Sequence, residues 1–96
     1  MTLKGVTKGI NHFRPNHALY VSAPTEGKMN YALLDGSAII LEQKNPIHSI
    51  FIFRENGLDY MISYGKVKKI NISSIAKTAT TNKTYRGMVI VRKKVK

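Results

Sequence analysis

Between Ile47 and Ser63 the chain reads IHSIFIFRENGLDYMIS, two runs of β-branched and aromatic residues separated by Asn-Gly. Asn56-Gly57 tolerates the positive φ angles of a type I′ turn, so the stretch predicts a central β-hairpin. Counting outward from the turn pairs Glu55 with Leu58, Arg54 with Asp59, Phe53 with Tyr60, Ile52 with Met61 and Phe51 with Ile62. One face then carries Phe51, Phe53, Tyr60 and Ile62. The other carries Ile50, Ile52 and Met61 and ends in an opposite-charge pair, Arg54 with Asp59. Apolar residues on both sides predict cover on both, by a second sheet layer or by the chain curling round the hairpin as a barrel.

The remaining pattern is read outward from this hairpin. Residues 1–16 alternate poorly and contain Gly5, Gly9 and Pro15, which predicts an irregular N-terminal arm with at most a short strand near Leu3 to Val6. His17 to Ala23 reads as a strand, and Lys28 to Leu34 as another. Asp35-Gly36 is a second type I′ candidate, returning through Ser37 to Gln43, although the good helix formers from Ala32 to Gln43 compete with this hairpin. Lys44-Asn45-Pro46 breaks the pattern before the central hairpin. After Tyr64-Gly65, Lys66 to Ser73 alternates with Lys68, Ile70 and Ile72 on one face and should pair back on the preceding strand. Ser73 to Ala76 fits one helical turn, Lys77 to Thr84 is polar without either period and reads as a loop, and Tyr85 to Lys96 reads as a charged strand suited to an edge.

Short strands joined by tight turns, with no long amphipathic helix, predict an all-β single domain over residues 17–96. Its expected architecture is an antiparallel meander with little helix, closed or half-closed as a small barrel. In size and strand spacing this resembles SH3-like, Sm-like or OB-type barrels, and no motif identifies a family.

Charge changes the picture more than any other feature of composition. Against 16 Lys and Arg there are 5 acidic residues, a formal net charge of +11. All five acids, Glu26, Asp35, Glu42, Glu55 and Asp59, lie in the middle of the chain, and from Tyr60 to Lys96 there are ten basic residues and no acidic one. A basic C-terminal third on a nearly neutral body favours a polyanionic partner. There is no Cys, which excludes disulfides, a thiolate zinc site and a cysteine nucleophile. No apolar run is long enough to span a membrane and the N-terminus lacks the apolar core of a signal peptide, so a cytoplasmic protein without a membrane partner is expected.

The leading functional expectation is a nucleic-acid-binding protein, phosphate-led and weakly selective for sequence. Its expected contacts are Lys66, Lys68, Lys69, Arg86, Arg92, Lys93 and Lys94, with Tyr85 beside Arg86 as the base-stacking aromatic. No continuous aromatic platform is expected, because Tyr60 opposite Phe53 reads as core. A second expectation is a small interaction or inhibitor protein that blocks or joins a nucleic-acid-handling complex through a strand edge and its basic third. A third is a metal-independent ribonuclease drawing on His12, Arg14, His17, His48, Tyr85 and Arg86, residue types that can supply a base, an acid and a phosphate-holding cation. The histidine spacing does not complete a metal ligand set, and no motif implies a cofactor.

Overall fold

The computed structural model describes residues 3–43, 48–82 and 85–92. Its elements run α1 (Leu3–Phe13), β1 (Ala18–Val21), α2 (Glu26–Leu34), β2 (Ala38–Gln43), β3 (His48–Glu55), β4 (Leu58–Ser63), β5 (Lys66–Lys69), α3 (Ile72–Asn82) and β6 (Tyr85–Val91). The six strands form one antiparallel sheet in the order β1-β6-β2-β3-β4-β5.

The central hairpin has the register its turn dictates, with Phe51 opposite Ile62, Ile52 opposite Met61, Phe53 opposite Tyr60, Arg54 opposite Asp59 and Glu55 opposite Leu58. Asn56 and Gly57 have φ of 53° and 76°, the positive values of a type I′ turn. Tyr64 and Gly65 repeat that geometry at 53° and 74°, and β5 folds back on β4.

Three segments expected as arm, strand or loop are helices. In α1 the glycines that read as breakers are outweighed by apolar residues at helical spacing, Leu3, Val6 and Ile10, of which Leu3 is buried beneath the helix. In α2 the Thr25 side chain accepts a hydrogen bond from the Lys28 amide at 3.3 Å and caps the N-terminus. At its other end Gly36, with φ of 83°, lets the Ser37 amide reach the Ala32 carbonyl at 3.0 Å. Asp35-Gly36 is therefore a helix C-cap, not a hairpin turn, since both need a left-handed glycine. Helix α3 starts where the Asn71 carboxamide accepts from the Ser73 amide at 2.9 Å, which stops β5 at Lys69. Only Ile72, Ile75 and Ala76 give its first half an apolar stripe, and its polar remainder hid the helix in the sequence.

The two helices α2 and α3 supply the second layer that a barrel would obtain by curling. They cover one face of the sheet over Ile39, Leu41, Ile50, Ile52 and Met88, with Met29, Leu33 and Ile72 packed down from above. The sheet consequently stays open. Burying a Leu, Ile or Met side chain contributes about 1.5–3 kcal/mol, so this cluster dominates stability. On the opposite face α1 packs Leu3 and Ile10 against Ala18, Val89, Tyr20, Ile40 and Val91, which lie on β1, β6 and β2.

Both sheet edges are blunted. The Asn11 carboxamide donates to the Ala18 carbonyl at 2.9 Å and accepts from the Ala18 amide at 2.8 Å, standing in for a neighbouring strand beside β1. Along β5, Lys66, Val67, Lys68 and Lys69 are all exposed, and lysines on an edge discourage pairing. The charged final strand, expected at an edge, instead lies in the interior of the sheet between β1 and β2. Its apolar Met88 and Val89 are fully buried, and the packing of both faces at this point outweighs the charge that follows.

Candidate nucleic-acid interface

Register places side chains from neighbouring strands in rows across the face that α1 partly covers. One row runs Tyr20, Val89, Ile40, Phe51, Ile62, Val67, and the next runs Ala18, Val91, Ala38, Phe53, Tyr60, Lys69. Helix α1 packs on β1 and β6 and shields the first members of each row. Phe51, Ile62 and Val67 beside Phe53, Tyr60 and Lys69 form a block of three strands beyond it. Phe51 is 37% exposed and Val67 62%, while Phe53, Tyr60 and Ile62 are half-buried by one another. The rings are ordered. Phe53 stacks on Tyr60 with centroids 5.5 Å apart and 22° between planes, and Phe51 lies 6.2 Å from Phe53.

One side of α1 forms a wall to this block. Lys4 sits over the Tyr20 ring at 5.7 Å and Asn11 bonds Ala18, so the flank bearing them faces β1. At 100° per residue Val6, Gly9 and Phe13 fall on the opposite flank, toward β2 and β3. Beside Val6, Gly9, Ile10 and Phe13 lies an apolar groove of about 530 Å³, and Phe13 is 82% exposed. From β6 beneath the helix to β5 is four strand spacings, about 19 Å, which leaves a trough roughly 14 Å wide once the helix radius is removed.

The charge around the trough is asymmetric. Lys69 lies on the aromatic face itself, directly opposite Tyr60, whereas Lys66 and Lys68, opposite Ser63 and Met61, point to the other face of the same edge strand. On this face the carboxylates of Glu42 and Glu55 lie one row beyond the block at opposite ends. The other acid of the hairpin is neutralised, because Arg54 Nε and Nη2 donate to the two oxygens of Asp59 at 2.6 and 3.1 Å.

The structure divides the residues expected to bind nucleic acid. Lys66, Lys68 and Lys69 are all exposed on β5, Lys69 on the aromatic face and Lys66 and Lys68 on the opposite one. Tyr85 and Arg86 open β6, four strand spacings or about 19 Å away, and Arg92 is exposed just past its end, its amide bonded to the His17 carbonyl at 2.7 Å. Lys93 and Lys94 lie outside the described residues. Phe51, Phe53 and Tyr60, expected inside a doubly covered hairpin, are not among the contacts expected from the sequence. Their even alternation was visible, but only the placement of α1 over the other half of the sheet decides that their face is open.

Two of the histidines expected for a ribonuclease, His17 and His48, are not brought together. His17 precedes β1 one residue outside the row of Ala18 and Ala38, while His48 pairs with Gln43, five residues beyond Ala38 and three strands across, a separation of more than about 20 Å. General acid and base cannot act on one phosphate at that distance. His12 is exposed on α1 against the edge of Phe13. His48 Nε2 lies 2.7 Å from Ser63 Oγ, and its ring stacks on Tyr64 with centroids 4.0 Å apart and planes 6° apart. Among the described residues no group of three His, Asp or Glu side chains is placed to hold a metal, and no helix is long and apolar enough to cross a membrane.

No family model, curated protein or solved structure matches the chain.

Proposed function

We propose that the protein binds single-stranded nucleic acid in the trough between α1 and β5. The observation that carries this reading is the ordered set Phe51, Phe53 and Tyr60 on an open sheet face, bordered by the lysines of β5. Every nucleobase has a π-face that stacks on such rings, whereas a base inside a duplex does not expose one. Lys69 supplies positive charge on the aromatic face, Lys66 and Lys68 supply it from the other side of the same exposed edge strand, and the backbone phosphates lie toward that edge. The contacts are to base faces and to phosphates, so affinity is led by charge and stacking, and sequence preference is weak.

The test is a titration of labelled single-stranded RNA, single-stranded DNA and duplex DNA at low salt. Both single strands should bind, and Phe51→Ala together with Tyr60→Ala should weaken them by tenfold or more, since a stacked base contributes about 1–3 kcal/mol. Unchanged binding by that variant, with the fold intact by circular dichroism, would remove the trough from the account.

A protein partner is the second reading, and α2 supports it. Its outward residues Tyr31 and Leu34 are 78% and 71% exposed, beside Leu19 of β1 at 52%. Apolar residues on both sides of one helix are unusual for a surface that only meets water. Salt-resistant retention of a protein, lost on Tyr31→Glu, would favour this reading.

A further inference from the structure

The molecule contains the same turn twice, filled in two ways. At Asn56-Gly57 the first position, φ 53°, holds asparagine, a residue that tolerates the left-handed region. At Tyr64-Gly65 the first position has the same φ and holds a tyrosine, which gains nothing locally from that conformation. Burial does not compensate, because Tyr64 is 76% exposed. Its ring lies flat on the His48 imidazole, and His48 is in turn held by its hydrogen bond to Ser63. One face of the tyrosine is thus fixed against a histidine and the other meets solvent. Lys66 stands directly across from Ser63 on β5, next to the same turn.

We infer that Tyr64, stacked on His48, is a second base-binding subsite in which a nucleobase stacks on the outer face of the tyrosine while Lys66 meets the adjoining phosphate. The inference rests on the reading of the trough as a single-strand site. His48 and Ser63 alternate onto the side of the sheet that carries Ile50, Ile52 and Met61, so the Tyr64 ring stacked on His48 lies across the sheet from Phe51 and Tyr60. The turn is two residues, about 7 Å, beyond Ile62, and a strand leaving the aromatic block rounds the β4–β5 turn to reach it, meeting Lys66 on the same side as Ser63. Strained backbone held at an exposed position is accounted for by this use: a flat face is presented rigidly, at a position that stability alone would give to asparagine or glycine.

The experiment compares Tyr64→Asn with the parent protein, using a labelled single-stranded oligonucleotide of ~12 residues, a length within the range a small domain covers. Tyr64→Asn should bind about tenfold more weakly, with Tm unchanged or raised because asparagine suits the turn. Tyr64→Trp should retain parental affinity. Unchanged affinity in Tyr64→Asn, while Phe51→Ala with Tyr60→Ala still weakens binding, would overturn the subsite and leave the trough standing. A lowered Tm in Tyr64→Asn with affinity unaffected, or a loss of affinity that Tyr64→Trp shares, would assign the stack a structural role alone. If the parent binds no single strand at low salt, the subsite and the trough reading fail together.

Discussion

Arg54 and Asp59 form a two-pronged ion pair across the central hairpin, with Nε 2.6 Å from one carboxylate oxygen and Nη2 3.1 Å from the other. The same Nη2 also donates to Asn30 Oδ1 at 2.9 Å, tying the hairpin tip to α2. The two side chains are 19% and 14% exposed, so water screens this pair less than it screens a surface pair. A double-mutant cycle with Arg54→Met and Asp59→Asn should return a coupling on the order of 1–3 kcal/mol, above the 0.2–1 kcal/mol of exposed pairs. Arg54 is held above its ordinary pKa, first by the hydrogen bond to Asp59, with partial burial opposing and the carboxylate's charge adding to the rise. A cation with a raised folded pKa stabilises the fold below its unfolded value and loses that contribution only as pH rises through the folded one. That window lies far on the alkaline side, so Arg54 should add no pH dependence between about pH 5 and 9. Urea unfolding across that range checks the point.

Gly57→Val should be destabilising by about 1–3 kcal/mol, the cost of placing a β-branched residue at positive φ. No atom lies within 4 Å of the position its Cβ would occupy, so the effect comes from backbone conformation alone. A urea midpoint equal to that of the parent would rule out the type I′ turn.

Asn11→Ala should remove both hydrogen bonds to Ala18 and open the outer edge of β1. We expect a loss of about 1–3 kcal/mol, and a sedimentation coefficient that rises with concentration as the freed edge finds partners. A variant that stays monomeric at high concentration would show that Asn11 stabilises the edge without guarding it.

Replacing Lys66, Lys68 and Lys69 together with Gln should leave the fold intact, because all three are exposed. If each meets a phosphate, log affinity for a single strand against log salt should lose about 2 from its slope, at about 0.7 per phosphate. An unchanged slope would move the phosphate path away from β5.

The hairpin from β3 to β4 was legible because its signal is local: Asn-Gly sets the turn, and the turn sets every pair out to Phe51 and Ile62. Asp35-Gly36 carried an equally local signal with two meanings, and the choice between turn and helix cap depends on Met29, Ala32 and Leu33 finding a sheet to pack on. Helix α1 was hidden by Gly5 and Gly9, and with it went the distinction between the covered and open halves of the sheet. The β5 lysines stand out in the sequence by charge alone. Phe51, Phe53 and Tyr60 were not, since in a sequence an aromatic that fills a core and one that faces solvent look alike.

The position of β6 bears on how the chain is made. Strands β2 to β5 join neighbours in sequence and can form as they leave the ribosome, by contacts of short range. Strand β1 cannot follow them, because its strand neighbour is β6, some seventy residues later, and β6 must also pair with β2. Until that segment emerges, the first strand and the helix that rests on it have nowhere to dock, and the free edge of β2 stands open. Strand β6 is thus the keystone of the described sheet, and a nascent chain stalled before Gly87 would expose the edge of β2, with Ile39, Ile40 and Leu41, to whatever chaperone or neighbour is at hand.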